Sequence, residues 1–410
     1  MASIAPKASD EPAIRPDSIE ALQEVEQRIL WLSSLIVHHA NNIRPNNEKS
    51  KVGGHQASSA SVVTIITALY FHFLKSGDRV SIKPHASPAF HAAQYLLGNL
   101  DRKYLTTLRE YKGLQAYPSR TKDPDPVDFS TGSVGLGAVA PVFAALSGEY
   151  NKLHFGEVTS NRFISLIGDA ELDEGNVWET VAEEAIQSLG NVIWIIDLNR
   201  QSLDRVIPGV RASRLKGLFA GAGWKVFEAK YGTQLTAAMN GEHGAALRRR
   251  IDEMANEEYQ ALIRIKDGAE LRRRVSDVAD AKYRKEILAS IAGTPDDELQ
   301  TLIGNLGGHD LTEVIRVLNE ADAVQDAPAV IFAYTVKGWG LPIAGDPLNH
   351  SQLLNQAQVD TLRDQHGLTE ETMWDAFASD TAAGELCAES AIRLKDDPKP
   401  APVTDPDVIP

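Results

Sequence analysis

Two stretches decide the fold: Phe163–Ile164–Ser165–Leu166–Ile167–Gly168–Asp169 and, thirty residues on, Val192–Ile193–Trp194–Ile195–Ile196–Asp197–Leu198–Asn199. Each is a short apolar run rich in β-branched residues that ends on a polar one, and the intervening segment from Glu174 to about Ser188 reads as an amphipathic helix. Strand, helix and strand of this length form a right-handed crossover whose two strands are parallel neighbours. Asp169 and Asn199 are then expected side by side at the carboxyl edge of the sheet, where open α/β sheets bind ligands. A carboxylate and an amide oxygen there suit a hard cation, Mg²⁺ or Ca²⁺, that keeps further positions for phosphate oxygens. Gly, Asp and Asn also favour turns, so either residue taken alone could simply end its strand.

Outward from this unit, Ser18 to about Asn41 reads as a helix, with Ile19, Leu22, Val25, Ile29 and Leu32 at helical spacing, and Ser59 to Leu74 as a second. Asp123–Pro124–Asp125–Pro126 is a loop. It leads to the glycine-rich Ser130–Thr131–Gly132–Ser133–Val134–Gly135–Leu136–Gly137 and then an apolar helix from about Ala138 to Leu146. Gly223–Glu228 and Ala329–Val336 are further strand candidates, separated by a charged helical excursion at about 235–300. The expected fold is α/β, a mostly parallel sheet flanked by helices. Residues 1–17 read as a flexible tail, 18–390 as the domain, and the Pro- and Asp-rich 391–410 as a linker.

Composition narrows the function classes. Of 410 residues 43% are hydrophobic, enough for a full core, and the formal net charge of −15 disfavours nucleic acid and anionic membranes as partners. No uninterrupted apolar run approaches the roughly eighteen residues that a membrane helix needs. Cys387 is the only cysteine, which leaves no internal disulfide and no cysteine metal site. A cytoplasmic location is the natural expectation.

Gly135–Leu136–Gly137–Ala138–Val139–Ala140 fits a dinucleotide fingerprint, but Asp125–Phe129 before it makes a poor strand. Glycines opening a helix still let backbone N–H groups meet an anion such as a diphosphate, the alternative being tight helix packing. His55 after Gly53–Gly54, His85 in Lys83–Pro84–His85–Ala86–Ser87–Pro88 and His350 after a Gly/Pro-rich loop are acid–base candidates for one cleft, with His309 a weaker one. No His-x-x-x-His pair or Gly-x-Ser-x-Gly elbow supports a zinc or serine hydrolase.

Gly168–Asp169–Ala170 followed by Asn199–Arg200–Gln201 resembles the thiamine diphosphate motif that opens Gly-Asp-Gly and closes on Asn. Several ordered segments resemble the N-terminal, diphosphate-binding (PP) domain of the homodimeric pyruvate dehydrogenase E1 component, a relative of transketolase. They include Gly53–Gly54–His55–Gln56–Ala57–Ser58, His85–Ala86–Ser87–Pro88, Gly221–Ala222–Gly223–Trp224, Gly307–Gly308–His309–Asp310 and Thr335–Val336–Lys337–Gly338–Trp339–Gly340. The resemblance implies that Asp169, Asn199 and the carbonyl of Gln201 hold Mg²⁺, and that Gly135, Gly137, Gly168 and Ala170 line the diphosphate. It implies that His55, His85 and His350 face the reacting carbon with Ser58 nearby, and that Lys337 lies near the diphosphate. Residues from Gly340 to about Gln356 would form a mobile loop bringing in His350.

Implied partners are a chain or domain carrying the pyrimidine-binding half, without which the chain is expected to be inactive, a homo- or hetero-oligomer, and an acyltransferase E2. Departures are Ala170 in place of glycine, Lys83 and Ala89 around His85, and a short segment before the first helix, which puts docking to an E2 core in question. The activity implied is oxidative decarboxylation of pyruvate or a related 2-oxo acid. Alternatives are a transketolase-like two-carbon transfer between sugar phosphates, with Arg120, Lys122 and Lys83 as phosphate contacts, and a non-catalytic cofactor- or partner-binding module.

Overall fold

The computed structural model describes residues 16–45, 51–132, 134–156, 161–202, 205–206 and 211–395. Most of the expected tail, most of the linker and Ser133 lie outside them. Five parallel strands form the sheet: β1 (Arg79–Ile82), β2 (Phe163–Gly168), β3 (Val192–Leu198), β4 (Lys225–Ala229) and β5 (Ala329–Tyr334), in the order β1-β2-β3-β5-β4. The expected pairing of the two deciding strands holds, with Phe163 opposite Val192 and Gly168 opposite Asp197.

Both faces of the sheet are covered, so the inner strands β2, β3 and β5 are apolar on both side-chain sets apart from Ser165 and Asp197. Ile164, Leu166, Ile193, Ile195 and Ile331 join one core with the helices Pro16–His38, Ser87–Leu96 and Leu311–Asp322. Ile167, Trp194, Ile196, Val330 and Phe332 join the other with Leu136–Phe155, Arg211–Gly221 and the excursion. That excursion is six short helices between Thr233 and Gly304.

Several elements differ from expectation. The first strand, Arg79–Ile82, has only four residues, too few for a periodicity to register. The crossover helix stops at Val181 and is followed by a 3₁₀ turn at Glu184–Ile186. Helix also breaks within Ser59–Leu74, giving Gln56–Ala60, Val63–Ala68 and a π-turn over Leu69–Phe73. Conversely, the glycine-led helix runs the full length Leu136–Phe155. The chain's last described helix, Ala382–Leu394, occupies the start of the expected linker. No helix among the described residues is long and apolar enough to cross a membrane.

Candidate cofactor and metal site

Asp169 leaves β2 into a 3₁₀ turn, and Asn199 follows β3 directly. The two are stitched together through the intervening backbone. The amide of Arg200 donates to Asp169 Oδ2 at 2.8 Å, and that of Gln201 donates to Asn199 Oδ1 at 3.0 Å. Burial, then the charge of Asp197, pushes the Asp169 carboxyl up to about 7. A carboxylate so raised stands to gain from a cation beside it.

Beneath this edge lies a group that sequence reading passed over. Asp197 is fully buried at the end of β3 and accepts from Lys83 Nζ at 2.5 Å, from Ser61 Oγ at 2.8 Å and from Thr335 Oγ1. Burial alone would raise its carboxyl, but the Lys83 ammonium and these hydroxyls hold it below the usual range. Its Oδ2 also accepts from Asn199 Nδ2 at 3.0 Å. That bond fixes which way the Asn199 amide faces, leaving Oδ1 toward the Gln201 amide. The signal was an aspartate inside an otherwise apolar strand, a position that requires buried partners.

The glycine stretch opens its helix from the left-handed region, with Gly135 at φ 79°. A Cβ there would lie 2.7 Å from Asn176 Oδ1, and one at Gly137 would lie 2.8 Å from Ser81 Oγ. Both glycines therefore answer to close packing as well as to any anion. Gly168 donates its amide to Glu171 Oε1 at 3.1 Å, and Ala170, with its methyl tolerated, is exposed.

The three expected histidines converge. Ring centroids of His55 and His85 are 3.9 Å apart, those of His55 and His350 4.9 Å, and those of His85 and His350 5.4 Å. His55 caps the Gln56–Ala60 helix that carries buried Ser58, and His85 sits just past β1. His350 is brought in by a turn that Asn349 pins, its Nδ2 donating to the carbonyls of Lys337 and Ile343 at 2.9 Å each.

Hydrogen bonds assign the tautomers. His55 Nδ1 faces the His350 carbonyl at 3.2 Å and must donate; Lys337 Nζ donates to His350 Nδ1 at 3.1 Å. Burial is the main cause that lowers both rings; Arg109, Lys337 and Lys83 add to it at His55, and the other two imidazoles with Lys83 and Lys337 help take His85 down to about 2. Neutral His55 then offers Nε2 as an acceptor, and His350 carries its proton on Nε2. One ring nitrogen from each of the three lies within 4.8 Å of the others, so an acceptor and a donor are held close together. His309 stands apart: it is buried, stacked on Trp339 at 4.7 Å, and accepts from the Val336 amide.

Residues 49–251 match the family described as Transketolase, thiamine diphosphate binding domain. The pyruvate dehydrogenase E1 component of Buchnera aphidicola subsp. Schizaphis graminum is 28% identical over 364 residues, covering 86% of this chain and 40% of that protein. The E1 component of Escherichia coli K12 is 27% identical over 360 residues, covering 85% and 39%. Transketolase from Campylobacter jejuni superposes with a TM-score of 0.60 at 18% identity, over 91% of this chain and 47% of that one, a likeness of fold. The chain thus spans about 40% of the length of the curated relatives it matches.

Proposed function

We propose, from the match of residues 49–251 to the transketolase thiamine diphosphate binding domain and the similarity to pyruvate dehydrogenase E1 components, that the chain is the diphosphate-binding half of an E1-type 2-oxo acid dehydrogenase. Its substrate would be pyruvate or a related 2-oxo acid. The observation that carries this reading is shared placement: Asp169 and Asn199 follow the carboxyl ends of β2 and β3, and His85, which packs with His55 and His350, follows that of β1.

Asp169, Asn199 and the Gln201 carbonyl would hold Mg²⁺, a hard-oxygen donor set suited to that ion. The raised Asp169 carboxyl supports the fit, because an entering cation takes the place of its proton. Gly135, Gly137, Gly168 and Ala170 would line the diphosphate, and Lys337 would act through His350. When bound, the cofactor supplies the electron sink for decarboxylation that no side chain provides. In this reading His55 Nε2 accepts a proton at the reacting face and His350 Nε2 donates one, while neutral His85 packs against both.

A pyrimidine-binding half, in a further stretch of chain or a partner, would complete the enzyme, and without it we expect no turnover. Exposed Phe143, Tyr150, Leu153 and Phe155 on one helix support an oligomer, since so large an apolar patch is seldom left to water. Lys83, one of the three residues considered for a sugar phosphate, is committed to Asp197, which favours the 2-oxo acid over the transketolase-like reading. Calorimetry of the chain assembled with a pyrimidine-binding half should detect thiamine diphosphate uptake only when Mg²⁺ is present. Pyruvate with an artificial electron acceptor should then turn over, and a ketose phosphate should not. Failure of Mg²⁺-dependent uptake defeats the reading; turnover of the sugar instead replaces it with the transketolase-like one.

A further inference from the structure

Behind the Asp169–Arg200 contact opens a cavity of about 350 Å³ that none of the roles above uses. Its walls are Leu172, Trp178 and Leu198 near the sheet edge, Leu215 on the Arg211–Gly221 helix, and Met254 and Tyr259 in the excursion. It shares Asp169 and Ala170 with the candidate cofactor site but includes none of the three clustered imidazoles, nor Gly135, Gly137 or Asn199. The size is that of an ordinary small-molecule site, and the lining has the usual balance of apolar wall and few polar groups.

Arg200 is the unexplained member of this wall. Its backbone lies in the left-handed region at φ 63°, a conformation uncommon for a side-chain-bearing residue. The guanidinium packs 4.8 Å over the Tyr259 ring. Its Nε and Nη2 are shut off from solvent and meet no acceptor among the described residues. Leaving a buried cation's N–H groups unmet is costly, and a nearby acceptor would relieve that cost. Both groups are sealed from the cavity in this conformation, so an anion would reach the guanidinium through Nη1, or after the side chain turns to present the Nε–Nη2 edge, which takes a carboxylate or phosphate through two parallel bonds. Of the other charged groups in the wall, Arg214 and Asp173 are exposed, and Lys230 is already committed to Asp252, which also accepts from the Tyr231 hydroxyl. The Asp252 carboxylate is therefore neutralised, and the Asp169 carboxylate is turned to the Arg200 amide.

We propose that this cavity is a second small-molecule site, which takes an amphipathic anion. A single carboxylate or phosphate meets Arg200, and a flat apolar body lies between Trp178, Leu215 and Tyr259. The site is independent of whether the sheet edge binds thiamine diphosphate.

The probe is 1-naphthyl phosphate, with 1-naphthylmethanol as its uncharged counterpart, each titrated calorimetrically into the full chain. One equivalent of the phosphate should bind, at least tenfold tighter than the alcohol. Arg200→Gln should remove that difference, and Leu215→Trp, which fills the cavity, should abolish binding of both. Equal affinities for the two compounds, binding unchanged in Leu215→Trp, or one-for-one displacement by magnesium thiamine diphosphate would each overturn the proposal. A crystal of the unsubstituted chain soaked with the phosphate removes any dependence on how the variants fold: density against Arg200 supports the site, and density elsewhere, or none, rejects it.

Discussion

The Lys83 ammonium lies 2.5 Å from the Asp197 carboxylate, and both side chains are buried where β1 and β3 end. The pair underlies the candidate cation site directly, because the same carboxylate oxygen holds the Asn199 amide. A change at Asp197 should therefore reach both stability and ligand binding.

Asp197→Asn leaves an ammonium buried without its counter-charge and should cost about 3–5 kcal/mol of unfolding free energy. Adding Lys83→Gln should restore most of that loss, since a neutral pair needs no compensation. Urea denaturation of the two variants checks this; a double variant no more stable than Asp197→Asn would show that the two charges do not answer each other.

Asp169→Asn removes a carboxylate that burial and Asp197 both disfavour. We expect the metal-free chain to unfold at the same temperature or higher, while Mg²⁺-dependent thiamine diphosphate binding weakens by more than the roughly 10–100-fold that loss of a supporting residue costs a metal site. Thermal unfolding and calorimetry measure the two effects separately. Unimpaired Mg²⁺-dependent binding would remove Asp169 from the ligand set.

His91 is a fully buried imidazole whose Nδ1 faces Asp125 Oδ2 at 2.8 Å and whose Nε2 faces the Gln115 carbonyl at 3.2 Å. Two acceptors require two ring protons. Burial opposes the charge, but Asp125, Asp123 and that carbonyl outweigh it and raise the ring above 6.5. With the folded value above the unfolded one, this contribution is fully present below 6.5 and is lost as pH rises through the folded value. The difference in unfolding temperature between the chain and His91→Phe should shrink steadily from pH 6 to pH 9, and a difference that grew instead would mean a neutral ring.

Gly135 and Gly156 both adopt left-handed backbone, at φ 79° and 71°, but only Gly135 is crowded, by Asn176 and Val177. Alanine at Gly156 should cost about 1 kcal/mol for conformation alone, and at Gly135 it should exceed the roughly 1–3 kcal/mol of a strained backbone because neighbours must also move. Equal losses in chemical denaturation would mean that the helix opening yields freely.

Local pattern was enough for the parallel sheet, the Asp169–Asn199 adjacency and the excursion. A strand buried on both faces is apolar along its length, and a crossover of fixed span brings its two ends together whatever lies elsewhere in the chain. The three histidines were legible one at a time through their Gly/Pro settings, but their meeting depends on folding across a sequence separation of 295 positions from His55 to His350. Tertiary structure alone decided the Lys83–Asp197 pair, the imidazole tautomers, the His91 clamp and the cavity beside Arg200. Each of these rests on which donor meets which acceptor in the interior, and burial, which gives such meetings their energy, exists only once distant segments have packed.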